Sequence, residues 1–370
     1  MSPADHFPQE LLQQSKAARV TYFKNYTVAH PLLKEVDTKL WQVVQAPADA
    51  ELVCLFGPTG VGKTTLIQRL TKRLLEQGRA EMKRDLNYLP VAWVDAIAPD
   101  NRNFSWMDYY KRALEVLDDP FYGRDEFRLG PGWRWSARVM RQALERGLKQ
   151  RRLIAFIIDE AQHLTKMSSG RKLQDQMDCI KSLASTSGTL HILCGTYELL
   201  AFRNLSAQLV RRSIDLHFRR YRIEQEEELK AWRSVLWAFQ RHLPLDEEPD
   251  LVSQWEFCFE RSLGCVGILK QWLLRVLQTA LDKDRRTIGR REVEEQSLPA
   301  SQCEKMATEM LEGEMQLTEK QESRARLRVL LGLHHDSAPE TGAAKRKKSS
   351  GRVGQRNPKR DPVRGRRRAG

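Results

Sequence analysis

The segment Gly57-Pro58-Thr59-Gly60-Val61-Gly62-Lys63-Thr64-Thr65 constrains this 370-residue chain more than any other feature. An apolar run, Leu52 to Phe56, leads into it, and Leu66, Leu70 and Leu74 follow at a four-residue spacing. That order reads as strand, glycine-rich turn and helix, and it satisfies the pattern GxxxxGK[ST]. Glycines let successive backbone N–H groups turn toward phosphate oxygens, and the start of a helix adds the positive end of its dipole. In such a loop Lys63 reaches the β and γ phosphates of a nucleotide and the Thr64 hydroxyl ligates magnesium. ATP and Mg2+ are therefore the expected cofactors. An ordinary glycine-rich turn would need neither the Lys-Thr pair nor both flanking elements.

A second apolar run, Leu153-Ile-Ala-Phe-Ile-Ile, ends in Asp159 and Glu160. Buried strands seldom end in two carboxylates unless these face a site. Beside a phosphate loop, the first acid serves the metal through water and the second polarises the attacking water. The bland alternative makes Asp159 a helix N-cap that satisfies free amides.

Further strands are legible at Val91 to Ile97, Leu190 to Cys194 and the alternation Ile214, Leu216, Phe218. Helical patterns separate them: Trp106 to Leu117 and Ala137 to Leu148, split by the loop PFYGRDEFRLGPGWRW, then Leu173, Met177, Ile180 and Leu183. Strands alternating with helices predict a parallel sheet covered on both faces. The chain then divides into a helical lead-in (1–45) broken at His30-Pro31, an α/β core (46–221), a small all-helical domain (222–285), a charged helical extension (286–338) and a basic tail (339–370). Trp93, Trp106, Trp133 and Trp135 read as core or interface residues rather than as base-stacking platforms.

Charge is concentrated at the C-terminus. From Glu340 to Gly370 twelve Lys/Arg face two acids, so the tail carries +10 of the net +14. With no aromatic residue and no apolar period it cannot offset the entropy of ordering, and disorder is expected. It is a solubilising tail or, as the single sign of charge favours, an arm for a polyanion. Six cysteines form no CxxC pair and eight histidines no ligand cluster, which argues for a reduced, cytoplasmic interior without a structural metal. No apolar run approaches the roughly 18 residues of a membrane span, and the start MSPADHFPQE has no secretion signal.

Taken in order, GPTGVGKTT, LIAFIIDEAQHL, LHILCGTYELL, LVRRSIDLHFRRY and GCVGILKQWLLR resemble the AAA+ ATPases of DNA transposition, the TnsC/TniB type, over about residues 20 to 285. The resemblance implies an AAA+ P-loop ATPase fold: a parallel α/β sheet core with a small α-helical lid, followed here by the disordered tail. It implies that Thr196, where many relatives have Asn, is the sensor that reads the γ phosphate. Arg211 or Arg212 would be the finger reaching a neighbouring subunit's nucleotide, unless the two are merely a solvated basic pair. Lys270 falls where the lid helix often supplies an Arg to the nucleotide, and an exposed Lys on an amphipathic helix is the even alternative.

The same resemblance implies ATP-gated assembly as a ring or filament on double-stranded DNA, presenting a platform to a transposase and a target-selection protein. Arg102, Lys111 and Arg112 are the candidate phosphate contacts, although any one could lie on a solvated helical face. Two other readings stay open. A replication-initiator or helicase-loader ATPase would carry a winged-helix domain after the lid, and a nucleotide-switched scaffold would not bind DNA.

Overall fold

The computed structural model describes residues 6–98, 104–118, 136–165, 170–203, 212–318 and 321–333. Arg102, Arg211, Trp133, Trp135 and the tail from 339 lie outside the described residues.

The five apolar runs fold as β1 (Leu52–Phe56), β2 (Val91–Asp95), β3 (Ala155–Asp159), β4 (Leu190–Gly195) and β5 (Ser213–His217). They form one sheet in the order β2-β3-β4-β1-β5, and every pairing is parallel. Parallel neighbours need crossovers, and helices supply them: α3 (Lys63–Arg84) after β1, α4 (Trp106–Val116) and α5 (Ala137–Gln150) after β2, and α6 (Gly170–Ser187) after β3.

Side-chain alternation along the strands then builds two cores. Val53 and Leu55 of β1, with Ile157 and Ile192, join the first; Leu52, Cys54 and Phe56, with Phe156 and Ile158, join the second. A sheet buried on both faces reads as continuous apolar runs, which is why β1, β3 and β4 are legible without any polar alternation.

The lead-in is broken. A 3-10 turn (Gln9–Gln13) precedes α1 (Lys16–Asn25) and α2 (Pro31–Gln45). His30 is the N-cap of α2, accepting from the Leu33 N–H, and Pro31 fits the first helical turn because no N–H is needed there. The first core runs on through α2 into the lid, where α8 (Glu226–His242), α9 (Trp255–Ser262) and α10 (Val266–Asp282) bury Trp232, Phe239, Trp272 and Leu273. Here α7 is the short helix Leu200–Arg203 that follows β4.

Beyond the lid come the helices α11 (Arg290–Glu295) and α12 (Ala300–Leu317). Residues up to Thr318 form one packed unit; Glu319–Gly370 is a second, in which the helix α13 (Gln321–Leu330) is described. All six cysteines are free thiols. Among the described residues no helix is long and apolar enough to cross a membrane.

Candidate nucleotide site

The parallel sheet brings the carboxyl ends of β1, β3 and β4 to one edge, and the site is built there. Gly60 and Gly62 adopt φ of +75° and +117°, a backbone region that costs a residue with a Cβ. A Cβ on Gly57 would meet the Phe218 carbonyl oxygen at 2.1 Å, so the loop turns tightly under the segment that follows β5. The loop then opens into α3, whose first-turn N–H groups have no intrahelical acceptors.

Lys63 curls back over the loop and donates to the carbonyls of Gly57 and Pro58, each at 2.9 Å. Burial pulls its pKa down, while Cys194, Glu160 and Asp159 nearby pull it back up. The Thr64 hydroxyl donates to Asp159 Oδ2 at 3.2 Å, which joins the head of α3 to the end of β3. The other Asp159 oxygen accepts the Glu160 N–H at 2.8 Å. Burial raises the Asp159 pKa, and these donors together with the Cys194 thiol oppose it. Glu160 itself is exposed and sits at φ +51°.

Thr196, directly after β4, is N-terminal to a short 3-10 turn (Tyr197–Leu199), and its Oγ1 is buried without a hydrogen-bond partner. A buried hydroxyl with no partner is a costly feature that an acceptor arriving in the site would relieve. The residues present therefore fit a magnesium-bound nucleoside triphosphate. A lysine and free helix N–H groups would receive the phosphates; Thr64 and Asp159 would offer the one or two protein oxygens that magnesium takes while keeping its waters.

The lid closes on the loop through glycines. Ile268 N–H donates to the Gly60 carbonyl at 3.2 Å, and a Cβ on Gly267 would lie 2.4 Å from that same oxygen. One turn earlier, Gly264 (φ +71°) accepts from the Tyr221 N–H at 3.0 Å, and the Tyr221 hydroxyl meets His30 Nδ1 at 3.1 Å. Burial lowers the His30 pKa to about 4, so the ring is neutral near pH 7. Lead-in and lid thus meet at Tyr221, and the lid meets the loop one turn further on at Ile268.

Residues 48–202 match the family profile described as "AAA domain". The core has the AAA+ fold. No curated protein matches the chain by sequence. Among solved structures, the Aeropyrum pernix ORC1 protein in complex with DNA superposes with a TM-score of 0.52 at 17% identity, covering 80% of this chain and 70% of that one. The Drosophila ORC bound to DNA (TM-score 0.47, 12% identity, 80% and 68% covered) overlaps more loosely. So does domain III of the Thermotoga maritima replication initiation protein DnaA (0.43, 15%, 74% and 94%).

Several expected residues of this chain sit elsewhere. Lys270 donates to the Lys24 carbonyl of α1 at 2.8 Å, and the lid touches the loop through Gly267 and Ile268 instead. Arg212 pairs with Glu51 at 2.7 Å, just before β5 and β1 begin. At about 3.3 Å per residue, the five-residue strand β1 separates it from its own loop by roughly 16 Å. At that distance Arg212 does not reach the phosphate loop of its own chain. Lys111 is exposed on α4, and Arg112 beside it is engaged by Asp108 at 2.8 Å.

Two features escaped the sequence. Gln162 is buried between Glu160 and Thr196. In addition, α12 docks on the carboxyl end of β4: Glu314, buried, pairs with Arg220 at 2.9 Å and Arg222 at 3.1 Å, and Gly313 lies flat on the Tyr197 ring. A cavity of about 560 Å³ remains between α12, Pro58, Thr59 and Thr196.

The close approach of Gly267 yields an expected result. Gly267→Val forces the lid off the loop, lowering nucleotide affinity about tenfold or more and stability by about 1–3 kcal/mol, the usual cost of overpacking. Fluorescent-nucleotide titration and thermal unfolding measure both; unchanged affinity would show that the lid is not part of the site.

Proposed function

We propose that this AAA+ chain hydrolyses ATP and uses the nucleotide to assemble on double-stranded DNA. The single observation that carries the hydrolytic part is the Thr64 hydroxyl 3.2 Å from Asp159 at the mouth of a lysine-bearing phosphate loop. In this reading Lys63 leaves the Gly57 and Pro58 carbonyls for the β and γ phosphates. Thr64 and Asp159 would hold Mg2+, which would supply positive charge beside the phosphate oxygens. Glu160 orients and polarises the attacking water, the Thr196 hydroxyl donates to the γ phosphate, and Arg211 or Arg212 stabilises developing charge on a neighbour's nucleotide.

Support for DNA comes from the net charge of +14 and from the likeness to an ORC1 protein solved with DNA. Phosphate contacts by Lys111, Arg112, Arg102 and the tail would give affinity without base reading. That fold likeness favours the initiator-type reading. The motif series from GPTGVGKTT to GCVGILKQWLLR supports the finer alternative, a transposition regulator that links a target-selection protein to a transposase as a ring or filament. The segment after the lid bears on the choice as well, because residues 290–317 fold as helices α11 and α12, not as the strands of a winged helix.

Electron microscopy of the full chain with duplex DNA and a non-hydrolysable ATP analogue tests the common core. Oligomers on DNA that require the analogue are expected; nucleotide-independent binding without assembly would overturn it. Sequence-tolerant coating that stimulates strand transfer by a transposase separates the transposition reading from an initiator, which would prefer particular duplex sequences. The tail makes a quantitative demand. Deleting residues 340–370 should flatten the dependence of log K on log salt by about 0.9 for each phosphate that the tail neutralises, leaving nucleotide binding intact. An unchanged slope would assign the tail to a protein partner.

A further inference from the structure

The Glu160 carboxylate stands at an exposed turn, yet it is held. Gln162 Nε2 donates to Glu160 Oε2, and Gln162 Oε1 accepts the Thr196 N–H at 3.2 Å. The amide orientation is not arbitrary. A backbone N–H can only donate, so the oxygen of Gln162 must face Thr196 and its NH2 must face the carboxylate. The Gln162 side chain is buried, at 6% exposure, so the amide end of each bond is shielded from competing water although Glu160 itself is exposed.

Its place is also cleared for it. A Cβ on Gly195 would sit 2.4 Å from Gln162 Oε1 and 3.1 Å from the Gln162 backbone nitrogen. Gly195 therefore lets the end of β4 approach the turn after β3 closely enough for one amide to span both. The turn is built to present it: Glu160 at φ +51° reverses the chain, and the His163 N–H closes onto the Glu160 carbonyl at 2.9 Å. Thr165 Oγ1 then anchors the Gln162 carbonyl at 2.7 Å.

We propose that Gln162 is a positioning residue that fixes the Glu160 carboxylate for water activation and ties it to Thr196 at the phosphate-reading end of β4. The proposal rests on Glu160 being the water-polarising carboxylate. One carboxylate oxygen is occupied by the amide, which leaves the other to accept from water. Because the same amide grips the Thr196 backbone, a shift of Thr196 on meeting a γ phosphate is transmitted to Glu160 through one side chain.

Two variants test it in the full-length chain. Gln162→Ala removes both bonds; Gln162→Glu keeps an acceptor for Thr196 but opposes Glu160. Both should lower kcat about 10- to 100-fold, the scale of an ångström-level misplacement, with affinity for a fluorescent ATP analogue and the unfolding temperature close to wild type. Without nucleotide, amide hydrogen exchange at Thr196 should accelerate in Gln162→Ala and stay protected in Gln162→Glu. In a Glu160→Gln background, Gln162→Ala should reduce single-turnover hydrolysis no further.

A Gln162→Ala kcat within twofold of wild type, or above it, overturns the proposal, as does a full further loss in the Glu160→Gln background. Failure of the underlying reading looks different, because Glu160→Gln alone would then turn over like wild type.

Discussion

Replacing Lys63 with alanine costs about 100-fold in ATP affinity and, with it, nucleotide-dependent assembly. Charge-assisted hydrogen bonds contribute up to about 3 kcal/mol each, which corresponds to that factor. The nucleotide-free chain should not suffer in parallel. Lys63 is a buried cation whose pKa burial already pulls down, and among the described residues its ammonium donates to two loop carbonyls at 2.9 Å. Removing it relieves a desolvated charge, and the freed carbonyls lie at the mouth of an open site.

The measurement is thermal unfolding with and without ATP. Wild type gains about 2.7 kcal/mol at a ligand concentration one hundred times Kd. Lys63→Ala should lose that gain while its baseline transition stays in place. A lowered baseline with a retained ATP shift would mean that Lys63 is a packing residue, and the phosphate-loop assignment would fall.

Why part of this was legible follows from where the information sits. The loop is a local object: strand, three glycines, lysine and threonine lie within fourteen residues, Leu52 to Thr65, and each imposes its conformation on its neighbours. The sheet was readable for a related reason, since strands buried on both faces read as near-continuous apolar runs: β1 is apolar throughout, β3 is apolar up to Asp159 and β4 is interrupted only by His191. What stayed hidden is non-local. Glu314 reaches Arg220 from 94 positions away, and no periodicity marks a glutamate that will be buried against two arginines. Lys270 has the spacing of a nucleotide ligand, but α1 lies beside the lid helix and takes its ammonium.

The glycines of GCVGILK show the limit from the other side. They stood out as a mark of resemblance before there was a reason for them. The reason is a distance: with the Gly60 oxygen 2.4 Å from where a Cβ would be, position 267 tolerates no side chain. Gln162 is similar, because a glutamine two residues after a carboxylate is unremarkable until Gly195 is seen making room for it.

Glu160→Gln should separate binding from chemistry. Glutamine matches glutamate in shape, tolerates the same φ of +51° no worse, and still offers Gln162 an amide oxygen to bond, so the turn should keep its geometry. Asp159 and Thr64 are untouched, which leaves the metal-holding pair in place. What disappears is the negative charge that polarises water, and general-base contributions of this kind are worth about 10²- to 10⁴-fold in rate. ATP affinity should therefore stay within about twofold of wild type while steady-state phosphate release falls by at least about 100-fold. In the proposed function, where hydrolysis limits the lifetime of an ATP-held assembly, oligomers of this variant on duplex DNA should persist after free ATP is removed, while wild-type oligomers should disperse. Phosphate release and a nucleotide-chase gel shift read the two effects separately. Turnover at the wild-type rate would remove Glu160 from the chemistry, whereas slow turnover with rapid dispersal would keep it there and cut the link between hydrolysis and release from DNA.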